Sequence, residues 1–378
     1  MMLILGSLIG VLVLSGFLFL NFSPQFGQGA KGLRLQQIKS SENYKEGKFQ
    51  NTVPTASGIQ DWSEVPGMMY KFFKVEPDQR PNWDIPVELL DSMEIELTKP
   101  TESKLTWFGH SAFLLEMDGE KILLDPMLGD VPAPAPFLGG KRFSKTLPID
   151  IEKLPRIDAI IISHDHYDHL DYGSIQKLKN KTKKFYVPLG VGAHLEIWGV
   201  DPSKITELDW WEESMHKHIK LVATPARHFS GRGLTDGNQT LWASWVIQGR
   251  GDKIFFGGDG GYFEGFKEIG EKYGPFDLAM LECGQYNENW ADIHMIPEET
   301  AQACLDVKGK TLMPMHWGAF KLALHSWTDP IERVTKAAEE LNINITTPKI
   351  GETVVLKKHF PKGQWWKKKV NEDVIVNL

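Results

Sequence analysis

Four residues with metal-binding side chains lie close together in the sequence: His164, His166, Asp168 and His169. They follow the run 157–162, which is apolar apart from Asp158 and typical of a buried strand, so these polar residues begin where the strand ends. Imidazole nitrogens and carboxylate oxygens in one place suit zinc, with iron or manganese as substitutes. The pattern therefore predicts a metal site, because only a bound ion would repay the cost of withdrawing so many polar groups from water.

The same context occurs three more times along the chain. His228, Asp259 and His316 each follow a predicted strand, and Asp259 comes after two glycines that let the backbone approach a ligand closely. A chance cluster of surface histidines would not produce these repeats, although a histidine cluster without metal is the alternative. Side chains at strand ends are held rigidly, as a preformed metal site requires.

Two further polar residues near predicted strands each have two interpretations. Asp125 ends a predicted strand before a proline, and it either orients a ligand imidazole by hydrogen bonding or simply forms a turn. His110 is predicted to lie on a strand, where it is either a core histidine with a backbone partner or part of the lining of the site.

Apolar periodicity predicts a series of strands followed by alternating helices and strands. The predicted strands cover 105–116, 121–124, 157–162, 220–224, 241–247, 253–256, 276–281 and 311–315. The predicted helices cover 173–178, 190–197, 263–273, 297–305 and 330–341. We therefore expect an α/β fold in which two sheets are covered by helices.

The histidine motif carries a resemblance to a known family. Residues 164–169 read HxHxDH, which resembles the signature of the metallo-β-lactamase superfamily, and the three later ligand-type residues fall in its remaining ligand positions. Within that superfamily, residues 70–355 are similar to the phospholipases D that hydrolyse N-acylphosphatidylethanolamine. The stretches that carry this similarity include 106–111, 123–126, 161–172, 257–262 and 315–320.

The resemblance implies an αββα metallo-β-lactamase sandwich with two Zn²⁺ ions per chain at one sheet edge. The residues that would hold the first ion are His164, His166 and His228. Those that would hold the second are Asp168, His169 and His316, with Asp259 bridging the two ions.

The resemblance also implies a reaction, in which a hydroxide that bridges the metals attacks phosphorus. The expected activity is that of a phosphodiesterase of phospholipase D type acting on N-acylphosphatidylethanolamine-like lipids. Asp168, as a metal ligand, and His294, as a histidine that faces substrate and helps to protonate the leaving group, are the residues predicted to be catalytic. A loop histidine without a role is the other interpretation of His294.

Two rival functions stay open at this point. One keeps the metals but changes the substrate, which makes the protein a zinc-dependent lactonase or phosphoesterase acting on a small soluble molecule. The other belongs to a different class, a non-catalytic membrane-anchored protein that uses a zinc fold to bind a partner.

The composition fits a globular protein. In 378 residues, 42% are hydrophobic and 24% are charged, which excludes disordered, collagen-like and polytopic membrane classes. A net charge of −7 gives no reason to expect a nucleic acid as partner. The two cysteines, Cys283 and Cys304, provide no disulfide framework. A homodimer is suggested by the resemblance alone.

The N-terminal segment 1–22 is almost wholly apolar, and the first charged residue is Lys31. A helix of this length spans a hydrocarbon core of about 30 Å, so a single transmembrane helix that anchors the protein in a membrane is predicted. The basic residues that follow favour a cytoplasmic catalytic domain, and export after signal cleavage is the alternative. Residues 23–69 are expected to form a linker and extended arm, and residues 70–378 the hydrolase domain.

Overall fold

The computed structural model describes residues 2–56, 63, 66, 67, 70, 74, 76–97 and 99–368 of the protein. The α-helices are α1 (Met2–Phe22), α2 (Gly32–Ser40), α3 (Ser92–Glu96), α4 (Tyr172–Leu178), α5 (Gly192–Ile197), α6 (Gly265–Tyr273), α7 (Pro297–Asp306) and α8 (Asp329–Glu340). The first strands are β1 (Tyr44–Lys45), β2 (Lys48–Phe49), β3 (Lys104–Trp107), β4 (Phe113–Met117), β5 (Glu120–Leu124), β6 (Ile157–Ile161), β7 (Thr182–Pro188) and β8 (Ile205–Leu208). The remaining strands are β9 (Glu213–His216), β10 (Ile219–Thr224), β11 (Ser244–Gln248), β12 (Lys253–Phe256), β13 (Leu278–Glu282), β14 (Thr311–Met315), β15 (Asn344–Ile345) and β16 (Thr353–Val355).

Two seven-stranded sheets dominate the described part of the chain. The first has the strand order β16-β3-β4-β5-β6-β7-β8, and the second has the order β15-β14-β13-β12-β11-β10-β9. In the first sheet the strands from β16 to β5 are antiparallel, and those from β5 to β8 are parallel. In the second sheet the strands from β9 to β12 are antiparallel, and those from β12 to β15 are parallel. Parallel strands end at a common edge, and such edges are where ligands bind in α/β sheets.

The alternation of side chains along β6 shows how the layers are built. Ala159 and Ile161 belong to the core that the two sheets share, whereas Ile160 and Ile162 belong to the core beneath α4 and α5. Successive side chains of a strand point to opposite faces, so a strand covered on both sides has apolar residues on both faces, as residues 159–162 of this segment do.

The second sheet is covered in the same way by α6, α7 and α8. The rings of Phe255 on β12 and Phe266 on α6 lie 6.3 Å apart in a T-shaped contact. Ile331 and Val334 of α8 are fully buried in the same core. The layer order is helices, sheet, sheet, helices, and the predicted αββα sandwich is confirmed.

The predicted single strand 105–116 is wrong, because the structure has two strands there, β3 and β4, joined by a turn. Gly109 and His110 both have positive φ angles, +88° and +57°, which no strand residue adopts. Apolar residues on both sides of this turn conceal it in the sequence. The turn places His110 at the edge of the sheet rather than within a strand.

The N-terminal segment forms helix α1, which is 21 residues long. The side chains of residues 1–6, 8, 9, 12 and 21 lie outside the described residues. Within the described part of the chain, no helix meets the length and hydropathy that a membrane span needs, so the predicted transmembrane helix is not supported.

The segment predicted as a linker and extended arm, 23–69, contains regular structure in its first half. Helix α2 and the hairpin β1–β2 bury Ile38 and Phe49 in the core that the two sheets share. Residues 68 and 69, at the predicted start of the hydrolase domain, lie outside the described residues, and that boundary stays a prediction.

Candidate metal centre

The seven predicted ligands come together at one edge of the sandwich. Residues 164–169 form the loop that follows β6 in the first sheet. The loops after β10, β12 and β14 of the second sheet carry His228, Asp259 and His316. The two sheets therefore contribute predicted ligands from opposite sides of one site. Five of these seven residues are more than nine-tenths buried, namely His164, His169, His228, Asp259 and His316.

Three imidazoles form the first group. The ligand nitrogens of His164, His166 and His228 all lie within 4.8 Å of one another. The Nδ1 atom of His166 is 2.8 Å from Nε2 of His164 and 3.3 Å from Nε2 of His228. Burial and the neighbouring imidazoles lower the pKa of His164 and of His228 well below its usual value. Both rings are therefore neutral, which is the form that binds a metal.

The second group contains the three predicted ligands and one additional histidine. Ligand atoms of His110, Asp168, His169 and His316 lie within 4.8 Å of one another. Oδ2 of Asp168 is 2.8 Å from Nε2 of His110 and 3.6 Å from Nε2 of His169. His110, for which two interpretations were open, thus lies beside the predicted ligands and contacts one of them directly.

Asp259 lies between the two groups. Its Oδ2 atom is 3.0 Å from Nε2 of His169, 3.9 Å from Nε2 of His164 and 4.0 Å from Nε2 of His228. Its Oδ1 atom lies 3.1 Å from Nδ1 of His316. A single carboxylate thus faces ligands of both groups, as the bridging role predicted for it requires.

The donor set fits divalent metal ions. Nitrogen and oxygen lone pairs converge from seven side chains, and two buried atoms, Asp259 Oδ1 and His110 Nδ1, have no hydrogen-bond partner among the described residues. Buried polar atoms are rarely left in this way unless an ion or water satisfies them.

The electrostatic field of the site favours positive charge. Burial by itself lowers the pKa of His169, but the carboxylates of Asp259, Asp168 and Asp125 raise it more, so that the pKa lies well above its usual value. Three carboxylates around one imidazole attract a cation strongly in a dry environment. The same field would hold a divalent ion.

Asp125 lies directly behind His169. Its Oδ2 atom accepts a 2.7 Å hydrogen bond from Nδ1 of His169, and Oδ1 accepts one of 2.7 Å from the backbone N–H of Ser163. With Nδ1 held by Asp125, the ring of His169 presents Nε2 toward Asp259, 3.0 Å away, and Nε2 is the nitrogen that would bind a metal. Asp125 thus contacts the imidazole of a predicted ligand, as the first of its two interpretations expects.

We predict that Asp125→Asn weakens metal binding by roughly 10–100-fold, because the ring of His169 loses its charged hydrogen-bond acceptor. The dissociation constant is measured by titrating the metal-free protein with Zn²⁺ in competition with a chromophoric chelator. Asp171→Asn is the matched control, since Asp171 caps α4 through the N–H of Ser174 and contacts no ligand. Equal affinities in the wild type and Asp125→Asn would contradict this role.

The loop that carries the motif is held by charged groups buried beneath it. Asp165 accepts hydrogen bonds of 2.8 Å from the backbone N–H of Gly231 and from Oγ1 of Thr240. Arg232 is buried and donates a 2.8 Å hydrogen bond to the carbonyl of Leu170. Side chains held in this way keep the ligands of the loop in place without binding metal themselves.

His294 lies at the open side of the site. Its ring centroid is 5.3 Å from that of His228 and 5.3 Å from that of His316. Its Nδ1 atom is 2.7 Å from Oε2 of Glu282. Burial lowers the pKa of His294, but Glu282 raises it above its usual value by more.

Glu282 and Asn51 are site residues that sequence reasoning missed. Glu282 ends β13 between the strands that lead to Asp259 and His316, and its side chain is fully buried. The sequence signal for Glu282 was a charged residue at the end of an apolar strand, which is the same pattern that marks the predicted ligands. Asn51 forms hydrogen bonds with both the backbone carbonyl and the backbone N–H of His228, 2.7 and 3.1 Å long. No local pattern indicates that contact.

Aromatic side chains line the approach to the first group. The ring of Phe229 lies edge-on to that of His166, with centroids 4.4 Å apart. Tyr167 contacts Phe26, with centroids 6.4 Å apart, and Phe26 belongs to the segment that follows α1. A cavity of about 310 Å³ lies beside Phe26, and its lining is mixed, with Leu20 and Leu234 next to polar residues such as Gln28 and Asp236.

Comparisons with known proteins agree with the fold. Residues 120–317 match the family described as the Beta-lactamase superfamily domain. An uncharacterized protein of Mycobacterium tuberculosis, Rv0906, is 41% identical over 344 residues, which are 90% of this chain and 91% of that protein.

Two further proteins are informative. N-acyl-phosphatidylethanolamine-hydrolyzing phospholipase D 1 of Caenorhabditis elegans is 33% identical over 264 residues, covering 65% of this chain and 74% of that protein. Among solved structures, Igni18, a metallo hydrolase from Ignicoccus hospitalis, matches with a TM-score of 0.51 and 23% identity, covering 68% of this chain and all of that one. The latter likeness concerns the fold alone.

Proposed function

The chain belongs to the metallo-β-lactamase superfamily of metal-dependent hydrolases, and from that premise we propose that it is a phosphodiesterase of phospholipase D type with two zinc ions. The proposed substrates are N-acylphosphatidylethanolamine-like lipids. The observation that carries the proposal is the pair of ligand groups that share Asp259.

Two zinc ions bound there would lower the pKa of water and neutralise negative charge that develops on phosphoryl oxygens. The residues that would hold them are His164, His166 and His228 on one side and Asp168, His169 and His316 on the other, with Asp259 between. His110 contacts Asp168 and is a further candidate for this side of the site.

The protein's own residues shape the rest of the reaction. His294 lies beside both ligand groups and is still partly exposed, with 14% of its side chain accessible, so it can meet a substrate. Buried strands and loops exclude bulk water from the ligand side of the site, which strengthens every electrostatic interaction there.

A lipid substrate is supported by the relatives and by the approach to the site. The C. elegans relative is named for hydrolysis of N-acylphosphatidylethanolamine, and this chain covers 74% of its length. Phe229 contacts His166 and Tyr167 contacts Phe26, so aromatic rings lie beside the motif loop, and the cavity of mixed lining next to Phe26 is the space that we propose for part of an acyl chain. Contact with a membrane and assembly into a homodimer stay predictions of the sequence.

The proposal is tested by supplying the zinc-loaded protein with a panel of substrates in ¹⁸O-labelled water. The panel contains N-acylphosphatidylethanolamine vesicles, phosphatidylcholine vesicles, a soluble nitrophenyl phosphodiester and a lactone. We expect N-acylethanolamine and ¹⁸O-labelled phosphatidic acid, because water adds to phosphorus and the bond between phosphorus and the ethanolamine oxygen breaks. Mass spectrometry identifies both products.

Two controls accompany the panel. Asp259→Ala and chelator-treated wild type are both expected to give no product. Turnover of the lactone alone would establish the soluble-substrate alternative, and diacylglycerol in place of phosphatidic acid would show cleavage of the other phosphodiester bond. A stoichiometrically zinc-loaded protein that turns over nothing in the panel would refute the proposed activity.

A further inference from the structure

Glu282 is a carboxylate buried in the middle of the second sheet. It ends β13, which pairs with β12 on one side and β14 on the other, and its side chain is fully buried. Burial of a charged group is costly unless hydrogen bonds satisfy it. The partners of its two oxygens therefore indicate why this residue type occupies the position.

One oxygen of Glu282 is held by the backbone. Oε1 accepts a 3.0 Å hydrogen bond from the N–H of Met295 and a 3.3 Å hydrogen bond from the N–H of Gly260. These two donors come from different loops, one next to His294 and one next to Asp259. The carboxylate is thereby fixed in orientation, and the position of Oε2 is fixed with it.

The second oxygen is used for His294. Oε2 lies 2.7 Å from Nδ1 of His294, which donates its proton to the carboxylate. The Nε2 atom lies on the other side of the ring and is left for a substrate. The ring is further held by near-parallel stacking on His316, with an interplanar angle of 12°.

We propose that Glu282 is a positioning residue that fixes the tautomer and orientation of His294, so that Nε2 faces the departing alcohol of the substrate. This inference rests on the proposed function. Water adds to phosphorus as the bond from phosphorus to the alcohol oxygen breaks. The proton that the water loses reaches the open Nε2 of His294 through solvent, and Nε2 passes it to the departing alcohol oxygen, so that one water is consumed in each turnover and the ring returns to its starting form. Glu282 stabilises the doubly protonated ring during this transfer.

Glu282→Gln is the most informative variant because it changes the chemistry and keeps the shape. Its side-chain carbonyl still accepts from Met295 and Gly260, but its amide donates where Oε2 accepted. Nδ1 of His294 must then accept a hydrogen bond, which moves the proton of the neutral ring to Nε2 and disfavours the doubly protonated ring.

The experiment compares Glu282→Gln, His294→Gln and the double variant on two phosphodiesters, one with an alkyl alcohol as leaving group and one with nitrophenol. For the alkyl substrate we expect kcat to fall by roughly 10²-fold in each single variant, with KM and zinc content unchanged. For the nitrophenyl substrate, whose leaving oxygen needs no proton, we expect little change in kcat in any of the three variants. The double variant should be no slower than His294→Gln, because Glu282 acts through His294.

Glu299→Gln is the matched control. Glu299 lies at the start of α7 and accepts from the N–H of Ile296 without contacting His294, so its replacement should leave kcat unchanged for both substrates. An unchanged kcat for the alkyl substrate in Glu282→Gln would overturn the proposal. The proposal would also be overturned if the losses of kcat in the two single variants multiplied in the double variant. Equal losses of kcat for the alkyl and the nitrophenyl substrate would overturn it as well.

Failure of the proposed function gives a different result. If the wild type hydrolyses no phosphodiester, the activity is wrong before any variant is compared. The position of the His294 proton is then measured by ¹⁵N NMR of the zinc-loaded protein, with His294→Gln identifying the signal. A proton on Nδ1 in the wild type and on Nε2 in Glu282→Gln supports the positioning role, and the same tautomer in both refutes it.

Discussion

Asp259→Ala is expected to abolish hydrolysis, with a loss larger than the roughly 100-fold that removal of an outer partner of a metal ligand typically costs. Asp259 is the predicted ligand whose carboxylate faces both groups, with Oδ2 3.0 Å from Nε2 of His169 in one group and 3.9 Å from Nε2 of His164 in the other. Its removal would take an anionic ligand from each of the two proposed ions and would leave the neighbouring histidines without the carboxylate that balances a cation. Elemental analysis should show fewer than two zinc ions per chain.

Asp252→Ala is the matched control for this prediction. Asp252 immediately precedes β12, whose other end leads to Asp259, so it lies at the opposite edge of the same strand. It forms an ion pair with Lys357 and contacts no predicted ligand. Its zinc content and kcat should match those of the wild type. An Asp259→Ala protein that retains two zinc ions and normal turnover would show that the two ligand groups are not a catalytic metal centre.

Trp245→Ala is expected to destabilise the fold by about 3–5 kcal/mol, the usual cost of truncating a large aromatic side chain in a core. Trp245 on β11 is fully buried between the two sheets. Its indole Nε1–H also donates a 3.0 Å hydrogen bond to the carbonyl of Ile162, one residue before Ser163 and the metal-binding loop. The substitution leaves both a cavity and an unpaired buried carbonyl.

The free energy of unfolding is measured by urea denaturation in the presence of a chelator, so that metal binding does not contribute to it. Trp211→Ala is the control, because Trp211 is only half-buried and stacks on Tyr273 at the surface. A loss below about 1 kcal/mol in Trp245→Ala would mean that the two sheets repack around the cavity. The same measurement with saturating Zn²⁺ should raise the stability of both proteins equally and leave the difference unchanged if the site remains intact in the variant.

Most of the architecture could be predicted from the sequence because it depends on local pattern. The run 157–162 is apolar apart from Asp158, since β6 is covered on both faces, and the structure has a strand over Ile157–Ile161. The turn at Gly109 and His110 was missed, because apolar residues on both sides imitate one continuous strand. Only the backbone conformation, with positive φ at both residues, shows where β3 ends and β4 begins.

The seven predicted ligands were identifiable for a related reason. Each is a metal-binding residue type that follows an apolar strand, and residues 164–169 present four of them together. Glu282 follows the same rule at the end of β13, but its function depends on His294, and only the structure brings the two side chains within 2.7 Å. The pattern therefore indicates which residues reach the sheet edge, and it does not indicate their partners.

The amino-acid sequence alone determined the residue types of the metal centre and the strand ends that carry them, because both are properties of short stretches of chain. The tertiary structure decided which side chains meet there. Asp125 contacts His169 from 44 positions away, His110 contacts Asp168 from 58, and Asn51 holds the backbone of His228 from 177. Asp125 and His110 meet their partners through the pairing of strands within the first sheet, and Asn51 reaches His228 through packing of the N-terminal segment. No local periodicity encodes strand pairing or packing over such separations.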